Sequence, residues 1–223
     1  MSDFSHLVCI FDLDGTLVDS APDLSAALNR ILLQEGLEAM DPAKVRPLVG
    51  EGARALLCYG FEEQGRTFPE GAEGDRLVKD YIATYAERIS EHSFLFEGVE
   101  ETLTDLASRG AALAVCTNKL EALAFPLLRD LGVAERFSHI LCADSLPERK
   151  PSPLPLLTIL ERTGRKRGVM IGDTLTDLKA AQNAKLPALV ARFGYGANDQ
   201  ALKDATFFDH YKELPPLIEA AAG

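Results

Sequence analysis

A chain of 223 residues has material for one good α/β core with a small inserted module, and not for two large independent domains. Apolar residues make up 47% and charged residues 26%, close to ordinary globular usage, and no long apolar run occurs, which argues against disordered, collagen-like and transmembrane classes. The formal net charge of -11 argues against nucleic acid as a partner, because binding there relies on lysine and arginine displacing counterions from phosphates; a small anion can still bind at a local cationic patch or a metal.

The segment Met1-Ser2-Asp3-Phe4-Ser5-His6 has neither a basic region nor an apolar one of signal-peptide kind, so a cytoplasmic protein with no membrane partner is expected. The first apolar run, 7–11, reads as a strand and ends in Asp12-Leu13-Asp14-Gly15-Thr16. In an extended backbone Asp12 and Asp14 can face the same side, where they repel unless a cation neutralises them or one keeps its proton. The plain alternative is an Asp-rich turn with Thr16 capping a helix.

From 17 to 88 no strand is expected. Helical periodicity marks 24–34, 54–59 and 77–89, with a long polar connection over 60–74, as in a helical module inserted after the first strand. Beyond it, strands are expected at 111–116, 139–142, 169–171 and 189–191, alternating with helices at 99–109, 120–131, 154–163 and 175–184. That alternation predicts a doubly wound, Rossmann-like parallel sheet covered on both faces.

Polar clusters fall at the carboxyl ends of these strands, which is where ligands bind in open parallel sheets. Thr117-Asn118 follows the second strand and offers a hydroxyl and an amide, either for a phosphoryl oxygen or for capping the next helix. Lys150 stands before Pro151 and Pro153, whose restricted backbones can fix its direction; it is either a solvated surface lysine or a cation that balances Asp12. Gly172-Asp173-Thr174-Leu175-Thr176-Asp177 supplies two further carboxylates, with an N-cap role for Asp173 as the alternative, and an all-oxygen set of this kind suits Mg²⁺. Cys9, Cys116 and Cys142 lie in apolar runs and Cys58 follows Leu56-Leu57, with no CxxC pair, so they read as small buried hydrophobes. His6, His92, His139 and His210 are scattered without a metal-binding spacing.

In their order, Asp12-Leu13-Asp14-Gly15-Thr16, Thr117-Asn118, Lys150-Pro151 and Gly172-Asp173 followed by Asp177 resemble the motifs of the haloacid dehalogenase superfamily. The resemblance implies that Asp12 is a nucleophile forming an aspartyl-phosphate and that Asp14 is the acid and base. It implies that Thr117 and Lys150 hold the phosphoryl group, with Asn118 beside them. It further implies that Mg²⁺ binds Asp12, the Asp14 main-chain carbonyl and Asp173, with Asp177 as an outer ligand or lysine partner. True dehalogenases lack the second aspartate, so Asp14 points to phosphoryl transfer.

Within the superfamily, Asp19-Ser20, the segment 46–52, Thr117-Asn118-Lys119 and the segment 144–151 resemble phosphoglycolate phosphatases. This implies a small phosphorylated substrate, 2-phosphoglycolate, with a helical cap over 17–88 and a catalytic core over 1–16 and 89–223. Arg46 would then pair with a substrate carboxylate, and the turn at Gly50 would present amides to an anion. Phe96-Glu97-Gly98 stands where relatives often have a proline before that glycine, and Lys185 where they often have glycine. Other readings of the same motifs are a sugar phosphomutase, a phosphatase of sugar phosphates, nucleotides or pyrophosphate, and a non-catalytic phospho-ligand binding protein. A monomer or a homodimer is expected.

Overall fold

A computed structural model describes residues 3–196 and 198–222. In chain order it forms β1 (Leu7–Phe11), β2 (Val18–Asp19), α1 (Ala21–Gln34), α2 (Pro42–Val45), α3 (Ala53–Glu62), α4 (Gly71–Glu87), β3 (Phe94–Leu95), α5 (Val99–Ser108) and β4 (Ala112–Cys116). Then come α6 (Glu121–Asp130), β5 (His139–Leu141), α7 (Leu154–Thr163), β6 (Arg167–Gly172), α8 (Leu175–Ala184), β7 (Ala188–Ala191), β8 (Thr206–Phe208) and α9 (Leu214–Ala222). By its internal contacts the chain divides into two compact units, Met1–Asp19 with Leu95–Gly223, and Ser20–Phe94.

The first unit is built on a six-stranded sheet in the order β5-β4-β1-β6-β7-β8, in which neighbouring strands run parallel. Its central strand, β1, is wholly buried from Leu7 to Phe11, which is why the sequence there is continuously apolar rather than alternating. Val8, Ile10, Ala114, Cys116, Leu156, Ile159 and Met170 join one core cluster with Ala180, Ala181 and Ala184 of α8. The small alanine face of α8 lets that helix lie close to the sheet. Burial pushes the Cys9 and Cys116 thiols up to about 12, so they pack as hydrophobes and not as nucleophiles. Neighbours of β1 on its two sides, β4 and β6, make its carboxyl end the switch point of the sheet.

The second unit is helical. Leu28, Ile31, Leu32, Leu56, Leu57, Phe61, Leu77, Tyr81 and Tyr85 form its apolar interior, and Asp23 closes its end by accepting the main-chain N–H groups of His92 and Ser93 at 3.0 and 2.8 Å. Arg46 begins a short 3-10 turn, Arg46–Leu48, and Gly50 follows in the left-handed region with φ 102.

Several details differ from the sequence reading. The polar connection expected over 60–74 shrinks to 63–70, because α3 runs on to Glu62 and α4 starts at Gly71; Phe68 is buried there, edge-on to Phe61 at 5.4 Å. The segment expected to hold no strand contains Val18–Asp19, whose loop folds back as Leu17 and Val18 donate to the Leu13 carbonyl. For the same reason the units meet in sequence at 19/20, beyond the 16/17 expected, and again at 94/95 rather than 88/89. Strand β8 and helix α9 were not expected. Lys185 does take the glycine-like conformation that ends α8, with φ 58, at a cost of about 1 kcal/mol for a residue with a Cβ. Among the described residues no helix is long and apolar enough to cross a membrane.

Candidate active site

The β1–β6 ladder ends as Asp12 N–H donates to the Ile171 carbonyl at 2.8 Å. The chain must then leave the sheet, and it does so at Gly15, whose φ of 79 is costly for any residue with a side chain. A Cβ there would also overlap the Asp173 carboxylate and lie 2.8 Å from the Tyr195 ring. Glycine at this position therefore lets two strand ends approach each other.

Lys150 lies at the centre of the cluster, 3% exposed. Its Nζ is 2.9 Å from Asp12 Oδ1 and 2.6 Å from Asp177 Oδ1. Burial alone would lower its pKa, but the charges of Asp12 and Asp177 outweigh burial and hold the ammonium protonated, above its usual range. Asp12 Oδ1 also accepts the Leu13 N–H at 2.7 Å, so among the described residues both donors to Asp12 use one oxygen. Burial pushes Asp12 up to about 7, with Lys150 opposing and Asp177 adding to the rise.

Asp173 is fully buried, with Thr16 Oγ1 donating to its Oδ1 at 3.0 Å and Tyr195 N–H to its Oδ2 at 2.7 Å. Burial, then the charges of Asp177 and Asp12, raise it well above the carboxylate range. Asp177 is the third residue of α8, and its Oδ2 accepts from the N–H groups of Asp173 and Thr174 at 3.2 and 3.0 Å and from the Thr174 hydroxyl at 2.6 Å. The helix N-cap is thus Thr174, and the N-cap alternative for Asp173 is set aside: its side chain turns to Thr16 and Tyr195 instead. Thr16 likewise caps no helix, since α1 has Ser20 at its N-cap.

Among the described residues one group of acidic side chains comes close enough to share an ion: Asp12, Asp173 and Asp177 each offer an oxygen, and these lie within 4.8 Å of one another. With all three carboxylates ionised against one ammonium, the buried site would carry a formal charge of -2 (3 negative, 1 positive), which is why burial favours protonation of Asp12 and Asp173 where no cation is bound. Uncompensated charge of that size is costly away from water, and one divalent cation cancels it. An all-carboxylate donor set selects a hard cation.

Asp14 is not one of these three. Lys119 Nζ grips both its oxygens, at 2.9 and 3.1 Å, so each aspartate of the motif has its own lysine and their repulsion is answered twice. Thr117 continues the β4–β5 ladder by donating its N–H to the Leu141 carbonyl at 2.9 Å, and its hydroxyl accepts the Lys119 N–H at 3.1 Å. Asn118 Nδ2 donates to the Lys150 carbonyl at 3.0 Å, fixing the main chain that carries the lysine, while its buried Oδ1 has no hydrogen-bond partner among the described residues.

The core thus gathers Asp12, Asp14, Thr117, Asn118, Lys150, Asp173 and Asp177 at one end of the sheet. Arg46 and Gly50 belong to the helical unit. Sequence reasoning passed over Lys119, Thr16 and Tyr195. Lys119 and Thr16 each stood inside a quoted segment without a site role; Tyr195, between Gly194 and Gly196, had only those flanking glycines as a signal.

Residues 9–191 match the family described as haloacid dehalogenase-like hydrolase. The chain is 40% identical over 214 residues to the phosphoglycolate phosphatase of Agrobacterium fabrum, covering 95% of this chain and 91% of that one. It is 42% identical to the phosphoglycolate phosphatase of Caulobacter vibrioides, covering 87% and 83%. Among solved structures, a predicted phosphoglycolate phosphatase from Haemophilus somnus superposes with a TM-score of 0.88 at 30% identity, over 98% of this chain and 99% of that one.

Proposed function

The chain belongs to the haloacid dehalogenase-like hydrolases, and from that premise we propose that it is a Mg²⁺-dependent phosphoric monoester hydrolase acting on 2-phosphoglycolate in the cytoplasm. The observation that carries the chemistry is the buried cluster of Asp12, Asp173 and Asp177, whose carboxylate oxygens lie within 4.8 Å of one another beside Lys150. The relatives that share the chain's length carry the substrate assignment.

Asp12 and Asp173 are the side chains assigned to hold Mg²⁺, with the Asp14 main-chain carbonyl. Asp177 has one oxygen on the Lys150 ammonium and the other accepting three donors at the start of α8, whereas each Asp173 oxygen accepts a single neutral donor and keeps a lone pair, so Asp177 is assigned to orient the lysine and to stand outside the metal's direct ligands. When bound, the cation supplies neutralisation of the phosphate and keeps Asp12 ionised at neutral pH.

Asp12 attacks phosphorus, and the bond from phosphorus to the ester oxygen breaks as the new bond to the carboxylate forms. Asp14 gives its proton to the departing alkoxide. Water then attacks the aspartyl-phosphate while Asp14 takes a proton from it, and phosphate leaves with Asp12 regenerated. Lys150 holds Asp12 in place and balances charge on the transferring group, and the Thr117 hydroxyl and Asn118 amide contribute uncharged hydrogen bonds. The helical unit, Ser20–Phe94, is assigned the role of cap, with Arg46 and the turn at Gly50 as its substrate-recognising elements.

Release of inorganic phosphate from 2-phosphoglycolate, sugar phosphates, nucleotides and pyrophosphate, measured with Mg²⁺ and with chelator, tests this reading. We expect Mg²⁺-dependent release with the highest kcat/KM for 2-phosphoglycolate. A higher value for another substrate overturns the substrate assignment. Absence of release throughout, or a requirement for a sugar bisphosphate, overturns hydrolysis itself.

A further inference from the structure

Tyr195 lies between β7 and β8 and is 6% exposed. Its two polar ends point in different directions. The main-chain N–H donates to Asp173 Oδ2 at 2.7 Å, and the phenol donates to Asp19 Oδ1 at 2.9 Å. Asp19 ends β2, at the far side of the loop that begins with Asp12.

The loop carrying Tyr195 is packed against Asp173 without room to spare. A Cβ on Gly194 would overlap the Asp173 side chain, and one on Gly196 would sit 2.8 Å from the Asp173 carbonyl oxygen. The Tyr195 ring in turn lies against Gly15, where a Cβ would be 2.8 Å from its Cδ2. Asp173 is therefore held by one donor on each oxygen, from separate loops: Thr16 on Oδ1 and Tyr195 on Oδ2. The bond from phenol to Asp19 ties these loops to each other.

A carboxylate free to swing about its terminal torsion must be ordered before it can ligate, whereas one held by donors on its outer lone pairs is ordered in advance. We propose that Tyr195 is a positioning residue for the metal site, its phenol anchored on Asp19 so that its main-chain N–H aims the Asp173 carboxylate at the cation. This rests on Asp173 being a metal ligand, as assigned above.

Tyr195→Phe keeps the ring against Gly15 and keeps the N–H, and removes the phenol's bond to Asp19. Asp19→Ala removes the same bond from the other side, while Asp19→Asn retains an acceptor oxygen. The full-length chain is titrated with Mg²⁺ in the absence of substrate, by calorimetry and by the rise in Tm with metal concentration, and kcat is measured separately at saturating Mg²⁺.

For Tyr195→Phe and Asp19→Ala we expect a Mg²⁺ Kd raised about tenfold, with kcat at saturation reduced by less than that factor, and near-wild-type values for Asp19→Asn. The double variant, Tyr195→Phe with Asp19→Ala, should be no worse than the poorer single one, since both cut one bond. A Kd raised by less than about threefold in Tyr195→Phe overturns the proposal, even where its metal-free Tm falls, because that pattern is plain structural support. Wild-type protein that shows no Mg²⁺ response fails the metal reading instead, which separates the two.

Discussion

Asp12→Asn removes one buried negative charge while keeping the shape of the side chain and its acceptor for Leu13 N–H and Lys150. Burial raises the Asp12 pKa from 3.8 to about 7. At about 1.4 kcal/mol for each unit, the ionised form costs the metal-free fold up to about 4 kcal/mol above neutral pH. Lys150, Asp173 and Asp177 share that cost, so the single substitution should recover about half, roughly 2 kcal/mol, or a Tm rise of about 4–8 °C for a domain of this size. The folded state binds this proton more tightly than the unfolded state does. Wild-type stability therefore falls as pH rises from about 4 through about 7, while Asn has no such dependence, and the gap between the two should open across that window. Thermal unfolding in chelator at about pH 5 and about pH 8 measures it. Saturating Mg²⁺ should close or reverse the gap by binding the wild type more tightly. Phosphate release by the variant should fall at least about a thousandfold. A variant no more stable than wild type at the higher pH in chelator refutes the buried-charge reasoning, and retention of more than about a tenth of the activity refutes the nucleophile assignment.

Asp14→Asn should slow phosphoenzyme formation by about 10²–10⁴ with alkyl phosphates and far less with aryl phosphates, whose leaving groups need no proton; equal impairment in rapid-quench measurements counts against the acid role. Gly194→Ala forces a methyl group into the Asp173 side chain, so we expect a Tm lowered by about 4–10 °C together with weakened Mg²⁺ binding in calorimetry. A variant with unchanged metal affinity would show that Asp173 has room to move.

The parallel sheet was legible because strands buried on both faces read as unbroken apolar runs, as 7–11 and 169–171 do. The polar residues after those runs were legible because a strand that stops being apolar at its carboxyl end marks the rim where ligands bind. Strand β8 escaped notice for the opposite reason: three residues at the sheet edge, with Thr206 exposed and Phe207 half-buried, carry too little pattern to stand out from a loop. The glycines and charges of 60–74 hid the buried Phe68 in the same way.

Composition and pattern alone determined which residues carry charge, which runs must be buried, and which carboxylates, hydroxyls and lysine stand at strand ends. Those are local properties of a side chain and its neighbours in sequence. Only the tertiary structure decided the partners: Lys119 with Asp14 across 105 positions, Lys150 between Asp12 and Asp177, Tyr195 bridging Asp173 and Asp19. Such pairings follow from strand order and the approach of separate loops, and residue spacing along the chain holds no measure of either.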